Sequence, residues 1–459
     1  MDELLLKDAH EMRELLSNRS ISAVELLTAH IEHIEQVDAH VNAIITTCFD
    51  VAMDQAKAID DLGEKTGLLT GIPIPHKDLV ATKNLRTTHG STLFREHIPD
   101  TNDYIIDRMQ RAGAITIGKT NVPEFGAGSH TFNRVFGPTK NPYNLERTCG
   151  GSSGGAAVAL AMRMAALADG SDLGGSLRNP ASFCNVIGFR PTNNILPPSL
   201  TADHSRNLAS LGPMARDVDS VALLFEALRS DHPVSELPRL EAISLEGLRI
   251  AFTEDFDALP VVPEIRAIVR DVAAKLDEAG AIVEEASPDF GGARDIFQTL
   301  RGLSFRNRYD AFTPREKTEL KPTILWNLAL GISIDDEDLN RAQMERIALN
   351  KRIETFFQHY DLFVGPTTQV LPFPIPIEWI REIEGVQMNT YIDWMESCSW
   401  VTTTECPALS MPAGFADGLP VGVQLISRRA SDSRLLRIAK SIESVISSAS
   451  VLPDILCGD

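Results

Sequence analysis

Gly150-Gly-Ser-Ser-Gly-Gly155, then the small-residue run 156–167, then Gly170-Ser-Asp-Leu-Gly-Gly-Ser-Leu-Arg178 form the most telling part of the chain. Two glycine-rich loops bracket a segment read as a small-residue helix, entered through Gly154 and Gly155. No other stretch gathers Gly and Ser in this way around hydroxyls that could act as nucleophile and relay. Glycine tolerates unusual backbone angles, so successive amides in such loops can turn towards one point. Amides aimed like that can hold the oxyanion of a tetrahedral intermediate. The plainer reading of Gly174-Gly175-Ser176 is a turn before a helix, with Ser176 as its N-cap.

Outward from this centre, strands and helices alternate. Upstream, Gly71-Ile-Pro-Ile-Pro-His-Lys-Asp78 reads as a strand edge, residues 103–112 as a helix and 114–118 as a buried strand. Downstream, 186–189 reads as a strand. The first 60 residues read as helices, opened in one place by the capping box Ser22-Ala-Val-Glu25. Residues 231–247 are largely polar, with Pro233 and Pro238, and are the best internal linker. Beyond them come strands at 248–252, 361–364, 408–411 and 421–425, and helices at 262–279 and 341–359. The alternation is the α/β signature. The C-terminal half forms a second domain or adds strands to the same sheet.

Lys77 lies 75 residues before Ser152, and Ser152 lies 24 before Ser176. A serine attacks only when a base takes its proton. A lysine can be that base when burial keeps it neutral near pH 7. Together the three segments read as an acyl-transfer site without histidine. Three other readings compete. Gly151-Ser-Ser-Gly-Gly155 fits G-x-S-x-G centred on Ser153, but a nucleophile elbow needs an apolar strand before it, and Asn144-Leu-Glu-Arg-Thr-Cys149 is not apolar. A glycine-rich turn into a helix also suits phosphate, yet no Walker A motif is present. His76 has no acid-and-serine partners suggested by its surroundings.

The bulk properties exclude other classes. A formal charge of −20 argues against nucleic acid and anionic lipid as partners. No stretch is long enough to span a bilayer, and the N-terminus carries acids where a signal peptide carries bases. Six scattered cysteines without a C-x-x-C pair read as reduced thiols of a cytoplasmic protein. Eleven histidines without an H-x-x-x-H pair give no metal signature and no cofactor is expected.

At these segments the sequence closely resembles the amidase signature family, over nearly the whole chain. Gly71–Asp78 resembles that family's catalytic-lysine segment, Gly118-Lys-Thr-Asn-Val-Pro-Glu-Phe125 its next loop, and the 150–155 and 170–178 loops the signature itself. Phe183-Cys-Asn-Val-Ile-Gly-Phe-Arg-Pro191, Gly212-Pro-Met-Ala-Arg216 and Cys406-Pro-Ala-Leu-Ser-Met-Pro412 resemble later blocks. The resemblance implies a single large α/β domain with a mixed central β-sheet covered by helices on both faces. It also implies a Ser–cisSer–Lys triad: Ser176 as nucleophile, Ser152 as a relay after a non-proline cis peptide, and Lys77 as base. The implied oxyanion donors are the amides of Leu173, Gly174, Gly175 and Ser176, and Gly126 falls at a backbone contact to substrate. Asp172 and Arg178 are expected to hold the loop. Leu173 and Leu177 replace the commoner Thr and Ile, and 192–208 lacks the usual glycine-rich pattern. The implied activity is hydrolysis of a small-molecule amide, in a chain that is stand-alone or a homodimer. The alternatives are the glutaminase subunit of a tRNA-dependent amidotransferase, a carbamate or ester hydrolase, and a non-catalytic scaffold. Trp394, Trp400 and the run 402–404 read as core helix, or else as pocket wall.

Overall fold

The computed structural model describes residues 1–62, 67–196, 208–230, 237–257, 259–446 and 451–457. Its frame is an eight-stranded mixed sheet. The spatial order is Ile282–Glu285, Arg249–Phe252, Leu362–Pro366, Leu419–Ile426, Ala408–Ala416, Ile187–Arg190, Ser210–Ala215 and Leu167–Asp172. The first three strands run parallel, and every later neighbour is antiparallel. Local chemistry sets both modes. The crossover from Arg249–Phe252 to Ile282–Glu285 runs through the helix Pro263–Glu278, which starts on proline at a position that needs no N–H partner. The hairpin between Ala408–Ala416 and Leu419–Ile426 turns on Asp417-Gly418, both at positive φ (51° and 73°), the type I′ pair that matches strand twist.

Both halves of the chain thus feed one sheet, and one large apolar cluster runs through it. Of the expected linker, residues 231–236 lie outside the described residues. Leu237, Leu240, Ile243 and the buried Leu245 pack on the common core, so 237–247 covers it and separates nothing.

A smaller sheet orders Ile44–Thr47, Ile115–Thr120 and Pro73–Lys77. The Ser22 capping box opens the helix Ala23–Val41 as expected. Residues 1–60 are not all helical, however: the β-branched Ile44-Ile-Thr-Thr47 forms a strand against Ile115–Thr120. Pro73–Lys77 is completely buried. It packs beside Leu167–Asp172, the edge strand of the large sheet. Asp169 bridges the two: its carboxylate accepts from Lys77 N at 3.2 Å and meets His76 Nδ1 at 2.7 Å.

The helix expected over 156–167 is shorter, Gly154–Ala161, and the strand Leu167–Asp172 begins where it was expected to end. A run of small apolar residues has no amphipathic period, so buried helix and buried strand look alike in it. Arg163, at φ 61°, helps close the helical segment. Every residue of that helix is buried; its Gly and Ala side chains let it pack close to Leu167–Asp172, Pro73–Lys77 and Ile115–Thr120. No helix among the described residues is long and apolar enough to cross a membrane.

Candidate active site

Strand ends carry the site. Pro73–Lys77 delivers Lys77 into full burial, between the 150–155 loop and the end of Leu167–Asp172. Lys77 Nζ lies 2.8 Å from Ser152 Oγ, 2.7 Å from Ser153 Oγ and 3.0 Å from Ser171 Oγ. Burial pushes its pKa down from 10.5 to about 7, against the opposing pull of Asp172 and Asp169. A neutral amine keeps two N–H donors and one lone pair. It can therefore donate to two of these hydroxyls and accept from the third.

The Gly151–Ser152 peptide is cis. Ser129 Oγ donates to Gly151 O at 2.7 Å, and Thr131 Oγ1 donates to Gly150 O at 2.8 Å, so both carbonyls before Ser152 are tied down. Gly126 stands at φ 70° in the turn after Pro123. A Cβ there would lie 2.8 Å from Leu79 Cδ1 and 3.4 Å from Ser152 Oγ, which places Gly126 against the Ser152 hydroxyl.

The 173–177 loop follows from a buried charge cluster. Asp172 is fully buried between Arg178 and Arg190. Arg178 Nη2 reaches Asp172 Oδ1 at 3.0 Å, Arg178 Nε reaches Oδ2 at 3.0 Å, and Arg190 Nη1 reaches Oδ1 at 3.4 Å. Burial alone would raise the carboxyl's pKa; the two guanidinium groups and the Gly175 amide overcome it and hold it well below the ordinary carboxylate range. The same carboxylate accepts from Gly175 N at 2.8 Å and Leu177 N at 3.2 Å, which curls the loop around it. Arg178 also donates to Thr402 Oγ1 and Gln424 Oε1 and so ties the loop to the large sheet. Gly175 sits at φ 115°, where a Cβ would meet Asn179 Nδ2 and Cys398 Cβ, each at 2.7 Å.

One of the four amides expected to face an oxyanion is therefore otherwise engaged. Gly175 N–H points to Asp172, while Leu173, Gly174 and Ser176 make no backbone N–H hydrogen bond to another described residue. Ser176 is not an N-cap either. The helix Arg178–Phe183 has Leu177 in that position, and Ser176 opens onto a cavity.

That cavity measures about 610 Å³ and brings Ser152, Ser171, Leu173, Ser176 and Gly126 into one wall. Its other walls mix apolar side chains, among them Leu79, Phe125, Leu300, Leu303, Phe305 and Tyr309, with the polar Asp103, Arg301, Ser304, Asn307 and Arg308. Residues 197–207, most of the segment expected to depart from the family pattern, lie outside the described residues; Leu196 and Leu208 on either side line the cavity.

The competing residues sit elsewhere. Ser153 is fully buried and does not line the cavity, and Asn144–Thr148 is a half-exposed strand in a two-stranded ribbon, outside the large sheet. His76 is held between Asp169 and Thr116, away from the cavity lining. Trp394 is core, and Thr402 serves Arg178. No group of three or more His, Cys, Asp or Glu among the described residues could hold a metal ion. Sequence reasoning missed Asp169, Ser171, Ser129 and the helix Ala293–Tyr309. The first two were legible as polar residues two and four beyond Leu167, on one face of a strand, had the strand itself been read.

A family model described as Amidase matches residues 25–436. A glutamyl-tRNA(Gln) amidotransferase subunit from Moorella thermoacetica is 34% identical, with 96% of this chain and 97% of that one covered. An acylamidase of Rhodococcus erythropolis is 32% identical over 95% of each. A solved bacterial aryl acylamidase of the amidase signature family superposes with a TM-score of 0.90 at 26% identity, covering 99% of both chains.

Proposed function

The chain belongs to the amidase signature family, and on that premise we propose that it hydrolyses a carboxylic amide through a serine acyl-enzyme. The observation that carries this reading is Lys77 Nζ, 2.8 Å from Ser152 Oγ, fully buried, with a pKa near 7, behind a cavity that Ser152 and Ser176 share.

Ser176 Oγ attacks the carbonyl carbon. Its proton passes to Ser152 Oγ as Ser152 passes its own to the Lys77 lone pair. Burial lowers the Lys77 pKa to about 7, so the neutral amine that accepts the proton is available from about that pH upward. The alkoxide that forms on the former carbonyl oxygen is met by the amides of Leu173, Gly174 and Ser176. Gly175 contributes through Asp172, which holds the curl. Run backwards, the relay returns a proton to the leaving nitrogen, so the C–N bond breaks to a neutral amine. Water then repeats the attack on the ester, and Ser176 is released with the acid. Ser153 and Ser171 hold Lys77 Nζ in line with Ser152. Every proton in this cycle moves between groups of this chain, substrate and water.

The stand-alone hydrolase is favoured over an amidotransferase subunit by the backbone likeness to an aryl acylamidase, TM-score 0.90 over 99% of both chains. A panel of anilides, aliphatic amides, carbamates and glutamine tests it. Equal molar release of amine and acid from an anilide, and hydroxamate formation when hydroxylamine competes with water, are expected. Glutamine as the sole substrate, with a second protein co-purifying in fixed ratio, would instead establish the subunit reading.

A further inference from the structure

Arg301 lies on the helix Ala293–Tyr309, is only 5% exposed, and lines the cavity. Its Nε donates to Asn327 Oδ1 at 3.0 Å and its Nη2 to Tyr391 Oη at 2.5 Å. Both acceptors are neutral. Tyr391 Oη also accepts from Asn327 Nδ2 at 2.5 Å, so the three side chains form one small fixed network. The rings of Phe305, Tyr391 and Phe297 stand 4.8, 5.6 and 5.9 Å from the guanidinium carbon. Among the described residues, Nη1 has no hydrogen-bond partner and no carboxylate pairs with this arginine.

Three other acids are committed elsewhere. Glu396 is taken by Arg294, Asp393 by Thr390 and two backbone amides, and Glu124 by Ser91 Oγ and Lys321 N. Asp103 lines the same cavity and its Oδ1 has no hydrogen-bond partner among the described residues, but it makes no ion pair with Arg301: its backbone N–H is bound to Ala81 O, which places it on the wall built by Leu79 and Val80. A buried cation held only by neutral oxygens is costly, and such groups are kept where a ligand supplies the counter-charge. The network fixes the planar fork and leaves one edge for a bidentate partner, which suits a carboxylate.

The distance to the chemistry is short. Phe297 precedes Arg301 by one helical turn, and a Cβ on Gly174 would lie 2.7 Å from Phe297 Cζ. One aromatic ring therefore separates the guanidinium from the loop that carries Ser176.

We propose that Arg301 is a specificity residue that binds a carboxylate carried by the amide substrate, with apolar side chains of the cavity such as Leu300 and Leu303 against the rest of it. The inference rests on the amidase reading for its site, and concerns which amides bind there. The carboxylate belongs to the acyl part or to the amine part, and matched pairs separate the two sources. Glutaranilic acid against hexananilide places the charge on the acyl side; N-hexanoyl-6-aminohexanoate against N-hexylhexanamide places it on the amine side. Binding is measured by calorimetry in the Ser176→Ala protein, where no amide is consumed. Cleavage of the same pairs by wild type reports separately on hydrolysis.

At least tenfold tighter binding of the charged member is expected in one pair. Arg301→Met should abolish that preference, and Arg301→Lys should restore part of it. A merely structural arginine would weaken both members of a pair alike. Equal affinities within both pairs in the Ser176→Ala protein, or a preference that survives Arg301→Met, would overturn the proposal. The first of these outcomes needs no Arg301 variant to fold.

Discussion

Replacing Lys77 by methionine should change the protein's stability with opposite signs at low and high pH. Methionine fills a similar volume without a charge. The wild-type lysine has a pKa of about 7 in the folded state and 10.5 as its ordinary value. Between those values the unfolded chain binds the proton and the folded chain does not, so wild-type stability rises with pH across that window. At about 1.4 kcal/mol per unit, the buried lysine costs about 5 kcal/mol at pH 6, about 3 at pH 8 and about 1 at pH 10. Against this, methionine loses the bonds to Ser152, Ser153 and Ser171, about 1 kcal/mol each. The two effects cancel near pH 8. Urea titrations of both proteins at pH 6, 8 and 10 measure the difference, and other titrating groups cancel in the comparison. The variant should be more stable than wild type at pH 6, by about 2 kcal/mol, and less stable at pH 10 by a similar amount. A constant difference at all three pH values would mean that Lys77 holds the same protonation state folded and unfolded, and would remove it as the base.

The same ionisation should appear in catalysis: kcat/KM rises with pH through a single acid limb near pH 7, because only the neutral Lys77 accepts a proton; an acid limb near pH 4 would point to a carboxylate base. Lys77→Ala should slow anilide turnover far more than turnover of the matched activated ester, whose leaving group needs no proton; equal losses in the two assays would make Lys77 structural. Asp172→Asn leaves Arg178 and Arg190 without their carboxylate and should cost about 3–5 kcal/mol in urea unfolding; a loss below 1 kcal/mol would contradict its role in curling the loop.

Much of this site was legible because its chemistry is local in sequence. The glycines around Ser152 and Ser176 mark loops whatever surrounds them, and a lysine on an apolar strand announces burial. The alternation of strands and helices likewise follows from short apolar runs separated by polar turns. Less was legible where meaning depends on distant partners. The strand Leu167–Asp172 was hidden inside one apolar run with the helix before it. The apolar stripe Ile296, Phe297, Leu300 and Leu303 is regular, but Arg301 stands within it as a buried residue, and burial of a cation cannot be anticipated from spacing. The engagement of Gly175 N–H by Asp172 is a matter of loop curvature, which depends on Arg178 arriving from a helix and Arg190 from the next strand but one in the large sheet. Asp169 gains its place only when two sheets meet.

The most direct test of the serine mechanism is the site of covalent capture. A fluorophosphonate or sulfonyl fluoride should inactivate the wild-type protein at one equivalent, and peptide mapping should find the adduct on Ser176. Ser176→Ala should neither be labelled there nor turn over an anilide. An adduct on Ser153, with Ser176→Ala still active, would contradict the assignment and make Ser153 the nucleophile.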